Sequence, residues 1–172
     1  GGEPFRLLAP FKPELSKAEY LKGLEVIQNY IAAGDCYQVN FAQRFRSRFE
    51  GDSFNAYRTL RDVAPGDFSA FIKLDPDHAI LSLSPERFLS VEGRRIKTQP
   101  IKGTRPRASD PVRDMEIARE LRESIKDRAE NVMITDLLRN DLGKYCLPGS
   151  ISTPELCALH SFDNVHHLVS TI

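Results

Sequence analysis

A lysine, a glycine, a hydroxyl and two arginines stand together in Pro100-Ile101-Lys102-Gly103-Thr104-Arg105-Pro106-Arg107. Lys102 can act as an amine nucleophile if it loses its proton in a partly desolvated or cation-lined setting, and Arg105 and Arg107 can supply the cations or bind carboxylates. A solvated basic turn is the plain alternative. The two prolines disfavour a regular helix and a central strand, so the spacing predicts a pinned but irregular loop.

Three further groups can carry chemistry. Asp127 and Glu130 in Lys126-Asp127-Arg128-Ala129-Glu130-Asn131 stand i to i+3, which on a helix lets both carboxylates face one hard cation such as Mg²⁺. Spacing alone equally describes a solvated charged face. Glu86 in Leu83-Ser84-Pro85-Glu86-Arg87-Phe88 is a carboxylate amid apolar strand material. Partial burial fits it for general acid work, and exposure leaves it paired with Arg87. His166 and His167 are adjacent, so on a strand they face opposite ways and share no metal, although one can bind a ligand while the other packs.

These residues need elements to hold them. Ser16 and Glu19 form a capping box, and Tyr20, Leu24, Ile27 and Ile31 recur at helical spacing up to Gly34, which predicts an amphipathic helix packed on a sheet. Alternation of Tyr37, Val39 and Phe41 predicts a strand running towards Phe45. A helix near Phe54–Val63 and a turn at Pro65-Gly66-Asp67 follow. Strands are predicted at 68–74, 79–83, 88–91 and 95–99, a meander whose short connections favour antiparallel pairing. Asp110-Pro111 starts a helix to about Glu123, Ser124 caps a second to about Asn140 with Gly143 closing it, and strand material follows the Pro148-Gly149 turn. The class is α+β, a mainly antiparallel sheet covered by helices.

The 172 residues, 41% hydrophobic, suffice for one sizeable core. With 24 basic and 24 acidic residues no bulk charge favours nucleic acid or an anionic membrane. No apolar run approaches the ~20 residues of a membrane span, and the opening Gly1-Gly2-Glu3-Pro4 does not resemble a signal peptide, so a soluble cytoplasmic chain is expected. Cys36, Cys146 and Cys157 show no pairing pattern and are read as reduced. Residues 1–15 read as an incoming linker and 16–172 as part of a larger domain cut from a longer polypeptide.

The motifs taken together resemble the chorismate-utilising enzymes, the family of anthranilate synthase component I and of isochorismate and salicylate synthases. The resemblance rests on Ala33-Gly34-Asp35-Cys36-Tyr37-Gln38-Val39-Asn40-Phe41-Ala42, on the segments around Glu86, Lys102 and Glu130, on Asp136-Leu137-Leu138-Arg139-Asn140-Asp141-Leu142-Gly143, and on His167-Leu168-Val169-Ser170. It implies the anthranilate synthase component I-like fold and a site for chorismate beside Mg²⁺, with ammonia supplied by a glutamine amidotransferase subunit. Within the family, Lys102 resembles the aminodeoxychorismate branch, which serves p-aminobenzoate and folate synthesis, whereas the anthranilate branch has alanine in this loop. The resemblance makes Lys102 a transient nucleophile at C2, Glu86 the general acid and base, and Thr104 and His167 substrate contacts. It places Glu130 on the metal, supported by Asp127, whose shorter arm than the family's usual Glu favours a water-mediated contact. Family members extend beyond this segment on both sides, so the stretch alone is expected to lack a complete site. An anthranilate- or isochorismate-type enzyme, or a non-catalytic interaction module, are the competing readings.

Overall fold

The computed structural model describes residues 3–172, in two compact units: one runs to Ala64 and includes Phe71–Leu81, and the other holds Pro65–Ala70 and Ser82–Ile172. Gly1 and Gly2, part of the expected linker and of the segment that does not resemble a signal peptide, lie outside the described residues.

In the first unit, β1 (Arg6–Leu7) and β2 (Lys12–Pro13) pair antiparallel with β4 (Phe49–Glu50) and β3 (Phe45–Arg46). Much of the stretch read as a linker is therefore built into this unit. Between these strands, α1 (Lys17–Ala33) starts at the expected capping box, with the Glu19 amide donating to Ser16 Oγ at 3.2 Å and the Ser16 amide to Glu19 Oε2 at 2.8 Å. It ends at Gly34, φ +83°. The helix buries no residue, so the expected sheet packing is not found. Instead Phe41 lies on it, stacked on Tyr20 at 4.8 Å and so close over Gly23 that a Cβ there would come within 2.6 Å of the ring. The strand expected from Tyr37 is likewise unpaired until β3: of its alternating residues Phe41 packs on the helix, while Tyr37 and Val39 are exposed. After Asp52, which caps α2 (Ser53–Val63), the rings of Phe54 and Tyr57 close on Phe71. Phe71 lies on β5 (Ala70–Lys73), which pairs with β6 (Ala79–Ser82).

The second unit carries β7 (Arg87–Glu92), β8 (Arg95–Gln99), β9 (Ile101–Pro106), α3 (Pro111–Glu123), α4 (Ile125–Gly143), β10 (Glu155–Ser161) and β11 (Val165–Thr171). The expected meander is divided: β7 and β8 form one hairpin, separate from the β5–β6 pair. β11 is the centre of an antiparallel sheet of order β10-β11-β9, and Ile172 exchanges both backbone hydrogen bonds with Thr98 of β8. The main correction to the expected pattern lies at residues 100–107, where the predicted irregular loop is the strand β9. It is an edge strand, Pro100 precedes it and Pro106 is its last residue, so neither proline removes a needed donor from the middle of a ladder.

Irregularity is nevertheless present, at one point. Thr104 opposes His167 and Ile101 opposes Val169, three steps along β9 against two along β11. The extra residue is absorbed at a bulge where Gly103 has φ +91°. A Cβ on Gly103 would lie 2.9 Å from Asp127 Cβ and 3.1 Å from Leu121 Cδ1, so α3 and α4 approach β9 as closely as they do because no side chain intervenes.

Two arginines of the 100–107 segment clamp the helices to this sheet. Arg105 donates to Asp127 Oδ2 at 2.8 Å, in the first turn of α4. Arg107 donates to both oxygens of Asp114 in α3, which also accepts the Ala108 amide at 2.9 Å and sits 3.0 Å from His166 Nε2. Arg107 foremost, then the Ala108 amide and His166, hold the Asp114 carboxyl well below the usual carboxylate range. Leu121 and Leu168, both fully buried, fill the space between helices and sheet.

Gly103→Ala is expected to cost about 2–4 kcal/mol, strained φ plus overpacking, against ~1 kcal/mol for Gly34→Ala, where a new Cβ meets nothing within 4 Å. Denaturant unfolding of the two variants checks the order. Because the Asp114 carboxyl titrates lower folded than unfolded, its contribution is complete above about pH 4 and lost as pH falls through the folded value. Asp114→Asn should therefore lower the thermal midpoint at pH 7 and flatten the acid limb of the stability curve; an unchanged acid limb contradicts the assignment.

Candidate active site

Glu86 sits at the entry to β7 in a turn closed by Ser84, whose Oγ accepts the Glu86 amide at 3.1 Å. Its Oε1 accepts the Ile101 amide at 2.7 Å, which ties the carboxylate to the backbone next to Lys102. The alternative pairing with Arg87 is not formed. Neighbouring strand residues diverge, and Arg87 bonds Gln99 Oε1 at 2.9 Å with its guanidinium 4.6 Å from the Phe68 ring centre. A groove of about 300 Å³ opens beside Glu86, floored by Thr98, Pro100, Ile134 and Leu138.

Lys102 is half-buried at the β9 bulge. It has no ion-pair partner among the described residues. The arginines expected beside it are engaged elsewhere, Arg105 by Asp127 and Arg107 by Asp114, so neither is a free cation for the amine or for a substrate carboxylate. Thr104 and His167 form a cross-strand pair, Oγ1 to Nδ1 at 2.8 Å, with Phe162 edge-on to the imidazole at 5.6 Å. Burial pushes the imidazole down, against the pull of a backbone hydrogen bond at Gly103 and of the Glu86 carboxylate. Glu86, the bulge, Thr104 and His167 thus converge. His166 faces the other way, between Asp114 and Ser161 Oγ at 2.7 Å, as adjacent strand histidines must.

Of the two carboxylates expected to share a cation, one is engaged by an arginine. Asp127 is buried and accepts from Arg105, and Ser124 first, then Arg105, hold its carboxyl below the ordinary range. Glu130 is half-buried and lies 3.9 Å from Lys126 Nζ. No group of three His, Cys, Asp or Glu able to hold a metal exists among the described residues. Asp127 does not fit a ligand role in this arrangement; Glu130 alone keeps a carboxylate free of any arginine.

Two residues that sequence reasoning passed over matter here. Asp114 had a legible signal, an acid in the first turn of a helix that follows two arginines. Asn131 had none beyond lying next to Glu130, yet it is fully buried and donates to the Leu168 carbonyl at 2.9 Å. No helix among the described residues is long and apolar enough to cross a membrane, and the three cysteines are unpaired.

The chain is 49% identical over 169 residues to aminodeoxychorismate synthase component 1 of Salmonella typhimurium, covering 98% of this chain and 37% of that protein. Its identity to aminodeoxychorismate synthase component 1 of Escherichia coli is 46% over 170 residues, 99% of this chain and again 37% of the relative. The chain therefore spans little more than a third of the length of these relatives. Among solved structures, anthranilate synthase component I from Streptococcus pneumoniae superposes with a TM-score of 0.80 at 28% identity, over 96% of this chain and 37% of that one. The fold is thus the α+β arrangement that the motifs imply. Residues 3–172 match the family described as chorismate binding enzyme, and the chain belongs to that family.

Proposed function

We propose that the protein containing this chain is an aminodeoxychorismate synthase, which replaces the 4-hydroxyl of chorismate with an amino group to give 4-amino-4-deoxychorismate for p-aminobenzoate and folate synthesis. Ammonia comes from glutamine through a partner amidotransferase subunit. The observation that carries this reading is Lys102, in a segment where the anthranilate branch has alanine: it is half-buried, has no ion-pair partner among the described residues, and follows the Ile101 amide that Glu86 accepts. The identities of 46–49% to proteins named for this activity support it.

The lysine amine forms a bond to C2 while both ring double bonds shift, C1=C2 to C1=C6 and C5=C6 to C4=C5, and the C4–O bond breaks. Glu86 gives the proton with which the hydroxyl leaves as water. Ammonia then bonds to C4, both double bonds shift back, and the C2–N bond breaks to return the amine, with Glu86 taking the surplus proton of the incoming nitrogen. Two displacements with fixed nucleophile and acid replace one difficult displacement. Thr104 and His167 bind beside the ring. The family implies Mg²⁺ as cofactor, a charge that would offset the substrate carboxylates when bound. Glu130 is the residue of this chain we assign to it, together with ligands outside the described residues, while Asp127 holds Arg105.

In the full-length enzyme with chorismate, ammonium and Mg²⁺, Lys102→Ala and Glu86→Gln are each expected to lower kcat for 4-amino-4-deoxychorismate by on the order of 10²-fold. Chromatography with mass analysis follows the product. An undiminished rate for Lys102→Ala contradicts the covalent role, and anthranilate or isochorismate as the wild-type product contradicts the assignment as a whole.

A further inference from the structure

The bulge at Gly103 creates a deficit that the sheet does not settle. Even-numbered residues of β11 direct their backbone groups towards β9 and β8: the Ser170 amide donates to Pro100 O at 3.1 Å, and Ile172 pairs with Thr98. Leu168 belongs to this set and stands where β9 carries its extra residue, so its carbonyl faces the gap. The group that fills the gap comes from α4. Asn131 Nδ2 donates to Leu168 O at 2.9 Å and reaches Lys102 O at 3.5 Å, spanning the two strands where the ladder is interrupted.

The amide can face only one way. Ser170 Oγ accepts the Cys157 amide at 2.9 Å and gives its own proton to Asn131 Oδ1, which also accepts from Thr135 Oγ1 at 3.4 Å. Turning the amide would set its oxygen against two carbonyls, which cannot donate. Asn131, Ser170 and Thr135 are all essentially inaccessible, so no water substitutes for a lost bond. The same chain of bonds reaches the second irregularity of the sheet, the β10 bulge, where Cys157 adopts φ +51°.

We propose that Asn131 is a positioning residue for Lys102: its buried amide takes the place of the ladder bonds lost at the β9 bulge and fixes the backbone from which the lysine projects. The mechanistic half of this rests on the proposed role of Lys102 as nucleophile; the structural half does not. Asn131 touches neither that amine nor a reacting atom and acts through the Lys102 carbonyl.

The test uses the full-length enzyme and two variants, Asn131→Ala and the isosteric Asn131→Asp, which keeps the acceptor and removes both donor hydrogens. Hydrogen exchange read by mass spectrometry on the peptide covering residues 100–106 is expected to quicken by about tenfold or more, the scale of one lost buried hydrogen bond. The kcat for C4 amination is expected to fall by a similar factor, with KM for chorismate within about threefold. Should Asn131→Ala fail to fold, Asn131→Asp carries the same comparison. Unchanged exchange in 100–106 overturns the proposal, as does faster exchange there with kcat intact in an enzyme that Lys102→Ala disables. If Lys102→Ala leaves amination undiminished while the Asn131 variants still loosen β9, the structural half stands and the nucleophile assignment is what fails.

Discussion

The second unit depends on one extra residue in β9. An antiparallel pair alternates faces with period two, so an odd insertion would turn every later side chain over unless one position absorbed it. Gly103 absorbs it, with a backbone conformation that a residue bearing Cβ adopts only under strain. Beyond that point Thr104 meets His167 on one face, while Arg105 opposes His166 on the other. The same absence of Cβ lets Asp127 and Leu121 close on the strand. Register, helix packing and the placement of the candidate site are therefore consequences of a single glycine.

Charge is sorted by that register. On the helix-facing side Arg105 is paired with Asp127, and Arg107 with Asp114, which also lies 3.0 Å from His166 Nε2. Partly buried pairs of this kind repay little of their desolvation cost in net stability, but a wrong register would leave them unpaired, and that is expensive. They therefore act mainly to specify how α3 and α4 sit on β9. On the opposite side Thr104 pairs with His167, and Glu86 is held by a backbone amide rather than by a cation. Arg105 and Arg107 are committed to the helices.

Helix ends were legible because they are local. The capping box at Ser16, the Asp110-Pro111 start and the Ser124 cap each involve residues within four positions, and all three hold. What failed to read was whatever depended on a distant partner. Prolines at 100 and 106 look like loop signals until the segment is seen to be an edge strand. Tyr37, Val39 and Phe41 alternate like a strand, yet only Phe41 finds a partner, the ring of Tyr20 on α1. Asp127 and Glu130 have the right spacing to share a cation, but spacing carries no information about Arg105, which arrives from another element and claims Asp127. The chemistry-bearing positions stood out only because several motifs occurred together in one order; taken singly, Lys102 and a surface lysine are indistinguishable.

The Glu86–Ile101 hydrogen bond joins the proposed acid to the proposed nucleophile more tightly than their separation of 16 positions implies. A displacement in which the C2–N bond forms as the C4–O bond breaks requires both groups in place at once, and misplacement of either by about 1 Å costs on the order of 10²-fold. A carboxylate held by the amide of residue 101 moves with the Pro100–Ile101 peptide, one residue before Lys102. Motions of β9 that would separate the two side chains if each had its own support instead carry them together. The Glu86 contact at Ile101 and the Asn131 amide at the Lys102 and Leu168 carbonyls together hold the backbone at the bulge.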